Sequence, residues 1–166
     1  MESQITWAMA ILLVVAAAVH IGEEAVAGFR RFLNTEWFAG NENCPVTRLK
    51  GLVVDEIGLF VGLTVFALAA VLVDARLILV AVGFIAADMI QHAGFSIAKR
   101  GYTPGVATSA LYLVYVVYFF GHAELRHLLS EPWSWLALAV GAGGIALNYW
   151  LAWSKVQRGG CAAAIA

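Results

Sequence analysis

The chain has 166 residues, of which 62% are hydrophobic and only 13% are charged. In ordinary soluble domains about a quarter of the residues are charged. A soluble fold of this length leaves roughly a third of the surface of its chain in water. The composition therefore excludes a soluble monomer, and a net charge of −1 argues against a nucleic-acid partner. We predict an all-α integral membrane protein.

Five apolar segments each reach the length of a transmembrane helix, which needs about 20 residues to cross the ~30 Å hydrocarbon core. The segments cover approximately residues 5–29, 52–73, 76–98, 105–129 and 133–153. Their apolar runs are continuous rather than alternating, which indicates helices and not the strands of a barrel. We predict one domain, residues 1–166, built as a bundle of five transmembrane helices.

The basic residues indicate how the bundle is oriented. Eight of the ten fall on the side that holds the loop between the first two segments, and cytoplasmic loops carry such an excess. The N-terminus is therefore predicted to lie outside and the C-terminus in the cytoplasm. The eight residues are Arg30, Arg31, Arg48, Lys50, Lys99, Arg100, Lys155 and Arg158.

Ionisable residues inside these segments share two depths below the cytoplasmic surface. Counted from the nearest basic residue at 1.5 Å per residue, Glu24, Glu56 and His92 lie roughly 10 Å deep. His20 and Asp88 lie roughly 15 Å deep, near the mid-plane of the membrane. Such residues cost several kcal/mol each to insert and are usually functional. Their matched depths predict a polar pocket that opens toward the cytoplasm.

The spacing within each helix directs these side chains to common faces. Residues at positions i, i+3 and i+4 of a helix share one face, so His20, Glu23 and Glu24 project together. Asp88 and His92 do the same on the third segment. The fourth segment begins on the cytoplasmic side, and three of its polar residues reach similar depths: Thr108, Ser109 and Tyr112.

Three short motifs in chain order carry a resemblance to a known family. They are His20-Ile21-Gly22-Glu23-Glu24, Asp88-Met89-Ile90-Gln91-His92 and Tyr102-Thr103-Pro104-Gly105. The chain resembles the HXXEE-motif membrane proteins, small bacterial and fungal proteins whose second motif has Asn where this chain has Asp88. The resemblance implies no settled reaction. It supports the choice of site and not the chemistry. We also predict a location in a bacterial inner membrane.

A metalloenzyme is the function that we favour from the residues. Carboxylates and imidazoles on facing helices are the ligands of di-iron and di-manganese bundles, and zinc accepts the same groups. A divalent cation, zinc or iron, would also offset acidic charge that has no basic residue at the same depth. The metal would activate water or oxygen against a small lipid-like substrate. The predicted ligands are His20, Glu23, Glu24, Glu56 and His92, and the predicted catalytic residues are Glu23, Glu24, Asp88 and Tyr112.

Two alternatives use the same residues. In metal-free acid/base catalysis, Glu23 or Glu24 is the acid and His92 or Asp88 the base of an isomerase or cyclase. In a proton-coupled transporter the carboxylates and histidines form a relay. The transporter is less favoured because the ionisable groups gather in one leaflet and the chain shows no repeat.

Glycines on two segments predict close helix contacts. Gly58 and Gly62 are four residues apart, and Gly141, Gly143 and Gly144 lie in the last segment. Small residues at such spacing allow helices to approach closely in membranes. A homodimer formed through these faces is therefore a further prediction.

Overall fold

A computed structural model describes residues 7–37, 49–122 and 127–157 of the chain. All regular structure in this part is helical, as the sequence predicts, and no strand occurs in it. The helices are α1 (Trp7–Ala27), α2 (Phe29–Phe32), α3 (Leu49–Leu72), α4 (Ile78–Lys99), α5 (Val106–Gly121) and α6 (Pro132–Gln157). A π-helical turn, Leu33–Trp37, follows α2, and two 3-10 turns, Ala75–Leu77 and His127–Ser130, precede α4 and α6.

Two helix ends differ from the predicted boundaries. The first segment breaks at Gly28, whose φ of 76° lies in the left-handed region that favours glycine, and the short α2 follows. The sequence predicts that the fourth segment runs to residue 129, but α5 ends at Gly121. His122 is extended there, and polar residues follow it in the sequence, so the apolar pattern that drives the prediction stops earlier than the hydropathy window implies.

Helices α1, α3, α4 and α5 form the centre of the bundle, with α6 outside it. Helix α1 packs against α3 and α5, whereas α4 packs against α3, α5 and α6. The C-terminal ends of α1 and α4 and the N-terminal end of α5 lie together, and Lys99 there binds the Glu36 backbone carbonyl at 3.1 Å. We call this the basic end of the bundle, because Arg30, Arg31, Lys99 and Arg100 all lie there.

Close packing of α4 on α6 depends on two glycines. A Cβ at Gly83 would clash with the Leu138 backbone, and one at Gly141 would lie 2.8 Å from the Phe84 backbone nitrogen. The prediction of close contact is thus confirmed for Gly141. Within the described residues, a Cβ at Gly58, Gly62 or Gly143 would meet nothing within 4 Å.

The turn between α3 and α4 is held by one acidic side chain. Asp74 Oδ1 accepts a hydrogen bond from the Arg76 backbone at 2.9 Å, and the Arg76 guanidinium donates to both carboxylate oxygens. These hydrogen bonds lower the pKa of Asp74 below its ordinary value. Asp74 therefore acts as an N-cap at the turn that leads into α4.

Buried apolar residues form two separate clusters. The larger fills the bundle centre and includes Leu13, Ile85, Tyr112 and Phe119. The smaller lies at the basic end, where Phe29, Phe32, Leu33 and Phe95 pack together against Tyr149. Buried polar side chains of α1 and α4 lie between the clusters.

Three helical stretches are long and apolar enough to cross a membrane: Trp7–Ala27, Ala75–Lys99 and Pro132–Leu151. Two shorter apolar stretches, Ile57–Leu72 and Val106–Gly121, accompany them. Their outward faces carry exposed aliphatic side chains, such as Val114 and Val117 on α5 and Val61 and Val65 on α3. Extended apolar surface of this kind is typical of a chain that contacts lipid.

Candidate metal centre

Helices α1 and α4 meet through two acid–base pairs, one helical turn apart. His20 Nε2 lies 3.0 Å from Asp88 Oδ2, and His92 Nε2 lies 3.1 Å from Glu24 Oε1. On each helix the two residues are four positions apart and share one face. Since α1 and α4 run in the same direction, the acid of each helix faces the base of the other.

The two pairs form one cluster. His20 Nε2 also lies 3.8 Å from Glu24 Oε1, and His92 Nε2 lies 3.7 Å from Asp88 Oδ1. His20, Asp88 and His92 each offer a ligand atom within 4.8 Å of the others. Both imidazoles are 0% exposed, Glu24 is 5% exposed and Asp88 is 6% exposed. Ionisable groups this deeply buried need a partner of opposite charge.

The nitrogen–oxygen distances in the cluster fit both hydrogen bonds and the ligands of a shared metal ion. Within the described residues, neither His20 Nε2 nor His92 Nε2 makes a hydrogen bond of acceptable geometry, although each lies near a carboxylate oxygen. Tetrahedral ligands bound to zinc at about 2.1 Å are about 3.4 Å apart. The four nitrogen–oxygen distances, from 3.0 to 3.8 Å, bracket that separation. Two imidazoles with one or two carboxylates also suit ferrous iron.

Glu23 points to a different place from its neighbour Glu24. Adjacent helical residues are about 100° apart, and Glu23 reaches the first turn of α5. Its Oε2 accepts a 2.7 Å hydrogen bond from the Thr108 backbone and a short one from the Thr108 hydroxyl. Its Oε1 accepts from the Tyr102 hydroxyl at 2.7 Å. The residue before α5 is Gly105, which has no side chain to cap the helix, so Glu23 supplies the cap from α1.

Tyr102 is the exposed member of this group. The hydrogen bond to the Glu23 carboxylate raises the pKa of Tyr102 to about 12, because loss of the phenol proton would place a second negative charge beside Glu23. Tyr102 therefore stays neutral and acts as a donor to Glu23.

Hydrogen-bond donors and acceptors around Thr108 fix the protonation of one His20 nitrogen. His20 Nδ1 lies 3.0 Å from Thr108 Oγ1, whose own proton is donated to Glu23. Thr108 can therefore only accept from His20, so Nδ1 carries a proton. In a neutral imidazole, Nε2 then has a lone pair, and it lies 3.0 Å from a carboxylate oxygen. That contact is satisfied by a cation held by both atoms, by a second proton on the imidazole or by a proton on the carboxyl group.

His92 is held by a glycine and an aromatic ring. The Gly105 φ of 90° is in the left-handed region, and a Cβ there would lie 2.6 Å from His92 Nδ1. On another side the Phe29 ring lies 4.9 Å from the imidazole, centroid to centroid. The smaller apolar cluster, which contains Phe29, thus covers the acid–base cluster. The turn of residues 102–105 brings α5 directly over His92.

The three short motifs around this site lie in a part of the chain that matches a known protein family. Residues 11–120 match the family model described as "Protein of unknown function with HXXEE motif", which covers more than half of the chain. The chain belongs to the HXXEE family. The matched range contains all three short motifs, including the glycine turn over His92. No curated protein and no solved structure matches the chain.

The residues of the HXXEE motif therefore have two different structural roles in this chain. His20 and Glu24 lie in the acid–base cluster, whereas Glu23 caps α5. Asp88 and His92 join the cluster from α4, and the buried Tyr112 packs its ring 4.7 Å from that of His20. The side chain of Glu56, predicted as a further ligand, lies outside the described part of the chain.

Two residues that matter to the HXXEE site were not among the predicted site residues. Thr108 was placed at the right depth, but its contact with His20 depends on the rotation of α5, which depth does not determine. The sequence analysis identifies Gly105 only as the last residue of the third motif. Its position directly before the apolar run of α5 was the available signal, because a glycine there permits a close approach.

Proposed function

We propose that the chain is a membrane-embedded metalloenzyme with a divalent cation bound by His20, Asp88 and His92, assisted by Glu24. The His20–Asp88 contact carries the proposal, since a cation held by the Nε2 lone pair and the carboxylate would satisfy both groups, and His92 offers a further ligand atom within 4.8 Å. Zinc and iron are the metals that this donor set favours.

The proposed membrane arrangement has five crossings, an outside N-terminus and a cytoplasmic C-terminus, in a bacterial inner membrane. Helix α5, with 16 residues, is about 24 Å long, which a locally thinner bilayer accommodates. The basic end then faces the cytoplasm, supported by Arg30, Arg31, Lys99 and Arg100. The metal would lie in the cytoplasmic leaflet.

The chemistry that we propose is activation of water by the metal, directed at a small lipid-like substrate. A bound divalent cation lowers the pKa of water enough to form hydroxide near neutral pH. Glu24 lies 3.1 Å from His92 Nε2 and would accept a proton from that water. The apolar residues around the cluster favour an apolar substrate reached through the membrane.

Metal analysis of the full chain purified in detergent tests this proposal. After incubation with Zn²⁺ or Fe²⁺ and removal of excess metal, we expect near-stoichiometric metal in the wild type and almost none in His20→Ala. His122→Ala is the matched control, because the His122 side chain is exposed and contacts Tyr118, away from the cluster. Folded wild-type protein that retains neither metal would overturn the proposal. Mass spectrometry of lipid that copurifies addresses the substrate.

Metal-free acid/base catalysis is the second candidate, and the same contact favours it. A second proton on His20 would make it an imidazolium paired with Asp88, and His92 with Glu24 would form a similar pair. Such pairs are suited to isomerisation or cyclisation of an apolar substrate. Chelators distinguish the two functions, since only the metal-dependent enzyme would lose activity on the copurified lipid.

A further inference from the structure

Glu23 and Thr108 connect α5 to His20, and neither side chain faces the proposed metal position. Glu23 accepts from the Thr108 backbone and hydroxyl, and Thr108 Oγ1 lies 3.0 Å from His20 Nδ1. On the other side of the same imidazole, Nε2 faces Asp88. Each atom in this series has one defined role as donor or acceptor.

We infer that Glu23 and Thr108 are positioning residues for His20, which hold its proton on Nδ1 and direct its Nε2 into the site. Glu23 fixes the direction of the Thr108 hydroxyl proton, and the hydroxyl oxygen is then left as an acceptor for the imidazole. Metal-bound histidines are commonly oriented in this way through their second nitrogen. The inference deepens the proposed metal site and rests on it only where metal affinity is concerned.

A consequence is that Glu23 is not a ligand, although it stands beside Glu24 in the motif. Both of its oxygens are engaged by α5 and Tyr102, which leaves them turned away from the cluster. Replacing Thr108 tests the arrangement with little change of volume. Thr108→Val removes the hydroxyl and keeps the branched shape, whereas Thr108→Ser keeps the hydroxyl.

The first measurement is nitrogen-15 NMR of the histidine rings in metal-stripped protein, which reports the proton on each ring nitrogen. Wild type and Thr108→Ser should show a proton held on His20 Nδ1. At a pH where the His20 imidazole is neutral, Thr108→Val should lose that signature, while the His92 signals stay close to those of the wild type. A wild-type His20 with bare Nδ1, or a Thr108→Val spectrum identical to the wild type, would overturn the inference.

The second measurement is the affinity for Zn²⁺ in competition with a chelator. Loss of an orienting partner of a metal-bound histidine typically weakens binding by about 10–100-fold, and we expect that loss for Thr108→Val and not for Thr108→Ser. Equal affinities in the two variants would contradict the positioning role. If the wild type binds no metal but the NMR result holds, the proposed function fails while the positioning of His20 by Thr108 stands.

Discussion

His20 on α1 and Asp88 on α4 face each other across the bundle with 3.0 Å between Nε2 and Oδ2. One turn closer to the basic end the order reverses, with Glu24 on α1 and His92 on α4. A slip of one turn between the helices would bring His20 opposite His92, or Glu24 opposite Asp88. The site therefore specifies the register of the two helices, a role well attested for buried polar groups.

Asp88→Asn tests the value of the negative charge at the metal position. The amide fills nearly the same volume, so the chain should fold, but a neutral oxygen is a weaker ligand. We expect Zn²⁺ affinity to fall at least about ten-fold, which corresponds to about 1.4 kcal/mol. Asp74→Asn, the same change at an exposed turn, is the control and should bind zinc like the wild type. Unchanged affinity in Asp88→Asn would remove Asp88 from the ligand set.

Gly105→Ala tests the contact between the glycine turn and His92. A non-glycine residue at a φ of 90° costs on the order of 1–3 kcal/mol, and the added Cβ would press on the imidazole. We expect a lower unfolding temperature together with weaker metal binding. Gly101→Ala is the control in the same loop, since its Cβ would lie 3.9 Å from the nearest heavy atom. Equal unfolding temperatures in the two variants would contradict the contact.

Gly83→Ala tests the packing of α6 on α4. Its Cβ would lie 2.9 Å from the Leu138 carbonyl carbon, and overpacking of this kind typically costs about 1–3 kcal/mol. Gly143→Ala meets nothing within 4 Å in the described structure and should be neutral or gain up to about 1 kcal/mol of helix propensity. Thermal unfolding in detergent measures both, and a Gly143→Ala variant as unstable as Gly83→Ala would contradict the arrangement.

The pH dependence of stability tests the cap at Asp74. Hydrogen bonds from Arg76 lower the pKa of Asp74 in the folded chain, so its contribution is present above the unfolded value of about 3.9 and is lost as pH falls through the folded value. Because the pair is exposed, Asp74→Asn should cost at most about 1 kcal/mol at neutral pH. Unfolding temperatures of variant and wild type should converge in acid, and a gap that widens there would refute this.

Much of the site could be predicted from the sequence because depth is encoded by distance from basic residues. Counting from Arg30 and Lys99 placed His20 level with Asp88 and Glu24 close to His92, as the structure has them. Depth says nothing about rotation, however. By spacing, Glu23 and Glu24 each share a face with His20, yet only contacts with α5 show that Glu23 caps a helix while Glu24 enters the cluster.

Helix ends were predicted less well than helix centres, for a related reason. The polar residues after Gly121 are followed by the apolar pair Leu128 and Leu129, so hydropathy averaged over a window joins α5 to a separate turn. The break after α1 depends on one glycine, whose backbone angle is a property of the folded chain. Local conformation of this kind leaves little trace in a pattern averaged over many residues.

The left-handed break at Gly28 determines how the acid–base cluster is placed relative to the aromatic ring that covers it. It lies one turn beyond Glu24, and it turns the chain so that Phe29 covers His92. Each residue inserted between Glu24 and Gly28 would move the motif about 1.5 Å along the helix axis and rotate it by about 100° relative to that cover. The interval between motif and glycine thus sets how far His20 and Glu24 lie from the aromatic cover, independently of which residues form the cluster.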